Sequence, residues 1–290
     1  MALYQALLNG LLIGGVYALI SIGLTLVFGV MDIVNFAQGE FLMIGMFLAF
    51  FGHRLFGLDP LAASVGAGLI VFALGVVVER VVIDPIIDAP PLAQIFATVG
   101  LSVVLSNAAA AAFGNEYHGV TTPYGAVSVP FLGAHLPLSY LLAFACAAVA
   151  ASLLYLFLNR TDVGRAMRAT AQNRNAAVLL GINPRAMYML AFGLGVGLAG
   201  FAGAVILPYT VAYPAIGSQF VLIMYTVVVL GGLGSVRGAA VAGLAIGVIQ
   251  SVSTVFLATE LQNLVVFLIF VAALILVPGG VLKSVRLRRA

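Results

Sequence analysis

Between Leu3 and Val30 the chain runs for 28 residues without a charged side chain, and stretches of the same kind recur to its end. As a helix this first run would be about 42 Å long, against a hydrocarbon layer of about 30 Å. It therefore tilts, protrudes or breaks, and Gly29 is the expected place for a break. Further runs are placed at Phe41 to Phe56, Leu61 to Val78, Leu92 to Phe113, Leu138 to Leu158, Met187 to Leu207, Phe220 to Leu230, Ala239 to Leu257 and Leu264 to Leu282. The expected fold is all-α: a polytopic helical membrane protein of eight or nine transmembrane helices, forming one transmembrane domain over residues 1–290. The short run from Phe220, followed by glycines at 231, 232 and 234, is the candidate for a broken or re-entrant piece.

Composition excludes the main alternatives. Charged residues make up 7% of the chain and hydrophobic residues 63%, whereas a soluble α/β protein carries about a quarter charged residues. A membrane barrel would alternate apolar and polar positions. The net charge of +3 arises from basic residues flanking apolar spans, not interleaved with stacking aromatics, so nucleic acid is not an expected partner; the lipid bilayer is. Cys146, the single cysteine, lies in an apolar run and reads as a small buried hydrophobe. The leading run lacks a basic segment before it and is too long for a signal-peptide core, so it reads as a retained span.

Five of the twelve basic residues fall in one polar segment, Arg160 to Arg185. Burying five arginines in a bilayer would cost on the order of 15 kcal/mol, so the segment faces water, and the excess of positive charge marks its side as cytoplasmic. Arg237 and the tail Lys283, Arg286, Arg288 and Arg289 fall on the same side if the spans alternate, while Arg54 is the exception. Thr161 and Asp162 suit a helix start, Gly181 a left-handed end and Pro184 a stop. One helix of about twenty residues is expected, with Ala166, Ala169, Asn173, Ala176 or Ala177 and Leu180 as a narrow small-residue face. Arg165, Arg168 and Arg174 surround it. The competing reading is an amphipathic helix lying on anionic headgroups.

Pairs of small residues at four-residue spacing, Gly10 and Gly14, Gly193 and Gly197, Ala199 and Gly203, and Gly243 and Gly247, predict close helix packing. Between Met31 and Glu40, the polar residues Asp32, Asn35, Gln38 and Glu40 interrupt two apolar runs. The segment is either a broken helix lining a pathway or a short cytoplasmic hairpin loop.

Three ordered blocks carry a family resemblance over nearly the whole chain. They are Gly23 to Gly29 followed by Ile33-Val-Asn-Phe-Ala-Gln-Gly39; Gly164-Arg-Ala-Met-Arg-Ala169 with Asn173, Ala176, Ala177 and Leu179 to Ile182; and Val229-Leu-Gly-Gly-Leu-Gly-Ser235 with Gly238. The chain resembles the LivH-type permease subunits of ATP-binding-cassette importers for branched-chain amino acids. That resemblance implies a bacterial plasma (inner) membrane location with coupling segment and C-terminus cytoplasmic. It also implies a homologous second permease subunit, two ATPase subunits that carry the ATP and magnesium, and a periplasmic or extracellular substrate-binding protein. It assigns ATPase coupling to Gly164, Arg165, Ala166, Arg168, Ala169, Asn173, Ala176, Ala177, Leu180 and Gly181. Pathway residues are expected at Asp32, Asn35, Gln38, Gly39, Glu40, Gly231, Gly232, Gly234 and Ser235. Gln38 departs from the pattern, since many relatives have His there.

The residues alone agree on what is missing. Lys283 is the only lysine and is preceded by Leu282, so no P-loop is present, and no cofactor or metal is expected on this chain. His53, His118 and His135 lack metal-ligand spacing, and no catalytic constellation is legible. An enzyme is not expected. Two other functions stay open: a sister importer for urea, short amides or other amino acids, and an ion-gradient-driven transporter using Asp32 or Glu40 as its coupling carboxylate.

Overall fold

The computed structural model describes residues 2–131, 133–257 and 261–276, so the basic tail from Lys283 to Arg289 lies outside the described residues. Among them are eleven α-helices: α1 Ala2–Met31, α2 Gln38–Phe56, α3 Pro60–Val78, α4 Pro91–Phe113, α5 Leu138–Arg160, α6 Asp162–Gln172, α7 Arg174–Leu179, α8 Pro184–Ile206, α9 Ile216–Gly231, α10 Val236–Phe256 and α11 Gln262–Leu276. Seven stretches are long and apolar enough to cross a membrane, the third running on past α3 through a π-helical turn to Ile86, while α9 and α11 are shorter apolar helices. The fold is that of a polytopic helical membrane protein. One short antiparallel hairpin, β1 Ser128–Phe131 and β2 Ala134–Pro137, was not legible beforehand, because four-residue strands leave no periodicity to read.

Helices α1 and α8 form the centre, with 72% and 78% of their apolar windows buried. Their small residues are the reason. A Cβ on Gly10 would lie 2.7 Å from the Gly247 carbonyl oxygen, and one on Gly14 would lie 2.9 Å from that of Gly243, so the two glycine pairs read from the sequence pack against each other along α1 and α10. Gly193 and Gly197 face Phe72 of α3, and Gly203 faces the Leu42 carbonyl of α2. Lipid offers no hydrophobic drive between helices, so such backbone approach and its dispersion contacts hold the bundle together.

Contacts sort the helix ends onto two faces. Gln5 at the start of α1 clasps the backbone of His135 in β2, donating to its carbonyl at 2.6 Å and accepting from its amide at 2.8 Å. Tyr124 donates to Asp59, the cap of α3, at 2.9 Å, and His118 pairs with Ala212. This hairpin face also holds Arg54. The opposite face collects the end of α1, the end of α5, α6, α7 and the start of α10, and with them Arg80, Arg160, Arg165, Arg168, Arg174, Arg185 and Arg237. Basic charge is thus segregated within the described residues, with Arg54 the exception.

Candidate functional site

The break after α1 lies inside the protein. Asp32, at φ 58°, is the one described non-glycine residue in the left-handed region, and it turns the chain back so that α2 begins beside the middle of α8. Asn35 is fully buried and holds the turn: its Oδ1 accepts from the Ala37 amide at 3.1 Å, and its Nδ2 donates to Gln38 Oε1, also at 3.1 Å. Gln38 Nε2 donates to the Gly195 carbonyl at 3.0 Å. The segment is therefore a buried turn between two antiparallel helices, closer to the hairpin alternative than to a broken helix lining a pathway. Both amides are committed to protein groups, which makes them brackets of the break. Only Asp32 is exposed. A Gln38→Leu variant is expected to lower stability by about 2 kcal/mol, because it strands the Gly195 carbonyl and the Asn35 amide in the interior. Denaturant titration in micelles reads this; an unshifted midpoint would remove Gln38 from the bracket.

A second break stands against the first. Gly39, in the first turn of α2, meets Gly217 in the first turn of α9, so two helix N-termini converge within the bundle. Glu40 lies there, 3% exposed, with Oε1 accepting from Ser102 at 3.1 Å and Oε2 without a hydrogen-bond partner. At its other end α9 stops at Gly231, where Gly232 and Gly234 take φ of 95° and 78°. A Cβ on Gly29 would lie 3.1 Å from the Gly234 Cα, so the ends of α1 and α9 touch. This junction lies at the basic face.

The polar segment is an elbow of two helices. Asn173 sits at φ −158° and ψ 105°, ending α6 and capping α7 through an Oδ1 that accepts from Ala176 at 3.0 Å. The single helix of about twenty residues is thereby corrected: an Asn side chain that serves the next helix's first amides competes with continuation. Thr161 caps α6 as expected, accepting from the Gly164 amide at 3.0 Å, and Gly181 is left-handed at φ 78°. The break also dissolves the single small-residue face. Gly164 and Ala177 are buried and Ala166 and Ala169 half-buried toward the bundle, and a Cβ on Gly164 would collide with the Leu158 carbonyl. Arg165, Arg168, Asn173, Ala176, Leu180 and Gly181 face outward.

Sequence reading assigned Leu180 to coupling but left out its neighbour Leu179 at the most exposed part of the elbow. Leu179 is 88% and Leu180 77% exposed, an apolar knob at the tip of α7. Its signal was available: two leucines follow a polar helix immediately before a left-handed glycine. Ion pairs set the knob's position, since Arg174 reaches Asp88 at 2.7 Å and Arg185 reaches Asp84 at 3.5 Å, both in the turn after α3. Such pairs are worth at most about 1 kcal/mol each. They orient the elbow more than they stabilise it.

Between the elbow and the two helix ends lies a cleft of about 800 Å³, walled by the end of α1, the end of α5, α6 and residues 232 to 237. It brings together Gly232, Gly234 and Ser235 of the expected pathway set with Arg168 of the expected coupling set. Asn35, Gln38, Gly39 and Glu40 lie elsewhere, and Gly231 packs against Gly238.

A bundle of long apolar helices with two converging helix N-termini inside it and a polar elbow on its basic face defines a multi-pass membrane protein. The family described as branched-chain amino acid transport system / permease component matches residues 6–274, and the chain belongs to it. It is similar to the high-affinity branched-chain amino acid transport system permease protein LivH of Escherichia coli strain K12 and to its counterpart in Salmonella typhimurium. Each is 31% identical, over 96% of this chain and 94% of the relative. It is 32% identical to the permease protein BraD of Pseudomonas aeruginosa, over 96% of this chain and 95% of the relative.

Proposed function

We propose that this chain is the membrane subunit of an ATP-driven importer that passes branched-chain, hydrophobic amino acids through the bacterial inner membrane. Its similarity to the LivH and BraD permeases over almost their whole length is the observation that carries the reading. The segregated arginines support a cytoplasmic basic face. The hairpin face is then extracytoplasmic, and nine passes leave the N-terminus outside and the C-terminus inside. A substrate-binding protein docks on the hairpin face, where Tyr117 lies tilted against Tyr213 at 4.8 Å between ring centres. A homologous second permease subunit completes the pathway. Two ATPase subunits, which hold the ATP and magnesium, grip the elbow, with Leu179 and Leu180 entering an apolar cleft between them and the bundle.

The junction of α2 and α9 supports a place for the zwitterion. Two helix N-termini favour its carboxylate, and the unpartnered Glu40 oxygen accepts from its ammonium group. Uptake of radiolabelled leucine into proteoliposomes holding the complete complex tests the reading. Transport is expected to survive ionophores and to vanish with ATPase-dead partner subunits. Dependence on the ion gradient alone would transfer the chain to the secondary transporters, and uptake of urea or short amides in place of leucine would reassign the substrate.

A further inference from the structure

Apart from Arg168, the basic-face cleft is lined by residues outside the expected coupling set. Of the seven arginines on that face, Arg80, Arg165, Arg174 and Arg185 are each paired with a carboxylate. Arg160, Arg168 and Arg237 are not, among the described residues, and the last two line the cleft, which has no acidic residue in its walls. Arg237 instead lies over the Tyr155 ring and donates to its hydroxyl at 2.5 Å. Helix α10 begins in the same wall, with Ser235 capping only the Gly238 amide, so the positive end of its dipole is also presented there. Deeper, Thr25 is fully buried, lines the cleft and has no hydrogen-bond partner for Oγ1. A hydroxyl left so costs about 1 to 3 kcal/mol until something pairs with it.

A second groove of about 380 Å³ adjoins the cleft and shares Tyr155, Val236 and Arg237 with it. Its remaining walls are almost wholly apolar, Ile22, Ala151, Leu156 and Ala240 with Ser152, and Leu156 is half exposed on the apolar perimeter of the bundle. Cationic rim and buried hydroxyl belong to the cleft, and the apolar groove leaves it sideways at Tyr155, Val236 and Arg237 toward the perimeter. Together they match the phosphate, ester and acyl chain of a phospholipid.

We propose that the cleft binds one anionic phospholipid. Its phosphate lies between Arg168 and Arg237 at the start of α10, an ester oxygen accepts from Thr25, and an acyl chain occupies the adjoining groove. An ammonium-bearing headgroup is disfavoured because none of the cleft's lining residues is acidic. Because Arg168 belongs to α6, the lipid would brace the elbow against α1 and α10. The shared chemistry, a phosphate ester on an apolar body, would also suit a soluble phosphate ester, and the test separates the two.

The chain contains no tryptophan, so a Leu156→Trp substitution places a single fluorophore in the groove of the full-length chain. In nanodiscs, phosphatidylglycerol brominated on its acyl chain is expected to quench this tryptophan at lower mole fraction than brominated phosphatidylcholine. Arg168→Gln and Arg237→Gln should each reduce that preference about fivefold. Thr25→Val should reduce it without lowering the unfolding midpoint. Equal quenching by the two lipids, or a preference that survives the double arginine variant, would overturn the proposal. Relief of quenching by millimolar glycerol 3-phosphate would give the cleft to a soluble phosphate ester, and the lipid assignment would fall.

Discussion

A Leu179→Asp variant is expected to run as a folded, monodisperse chain in detergent yet to lose its ATPase subunits on co-purification. Leu179 touches almost nothing of its own molecule, being 88% exposed, so the substitution costs the bundle little. Its value lies in what it buries on docking: a leucine taken wholly out of water contributes about 1.5 to 3 kcal/mol. Placing a carboxylate there reverses the sign and adds a desolvation cost of several kcal/mol. Affinity should fall by two orders of magnitude or more, and leucine uptake with it. Leu180→Asp should behave alike. Gly164, which sequence reading would have chosen for the same experiment, is the wrong probe: any side chain there strikes the α5 backbone and damages the elbow itself. Retention of stoichiometric ATPase by Leu179→Asp would move the docking surface away from this tip.

The second large effect concerns assembly. Gly45→Val is expected to prevent recovery of folded protein, with a destabilisation of about 3 kcal/mol. A Cβ at Gly45 would fall on the Gly200 carbonyl, 2.5 Å from its carbon, and the obstacle is backbone in the centre of α8 rather than a side chain able to rotate away. Gly66, by contrast, has open space where its Cβ would stand, so Gly66→Val serves as the matched control on α3. Size-exclusion chromatography of the two variants checks this. Comparable monodisperse peaks would show that α2 and α8 can separate at that level without loss.

These two cases mark how far the sequence could be read. Apolar runs locate the spans because the bilayer imposes one length on every helix. The spacing of Gly10, Gly14, Gly243 and Gly247 foretold close packing, and the helices do meet there. The elbow shows where such reading stops. Periodicity through Ala166, Ala169, Asn173 and Ala176 looks continuous in one dimension, yet a single Asn cap divides it, and packing against α5 and α8 decides which of its residues face outward. The pathway residues show the same limit. Polarity at Asn35 and Gln38 signals a break in a helix, but composition cannot distinguish an amide that lines a passage from one that bonds a neighbouring carbonyl at 3.0 Å. Asp32, beside them, reaches the surface only because its backbone turns left-handed.

The clasp between Gln5 and His135 and the packing of α1 on α10 carry a consequence for biogenesis. Helix α1 leaves the ribosome ahead of the other described helices, and its neighbours in β2 and α10 are synthesised some 130 to 240 residues later. Until then its glycine stripe and the hydroxyls of Ser21 and Thr25 stand in lipid or against an insertion chaperone. The element at the heart of the mature protein is thus the longest-waiting intermediate, and the cell's membrane-insertion machinery, rather than the bundle, must keep it from pairing with strangers.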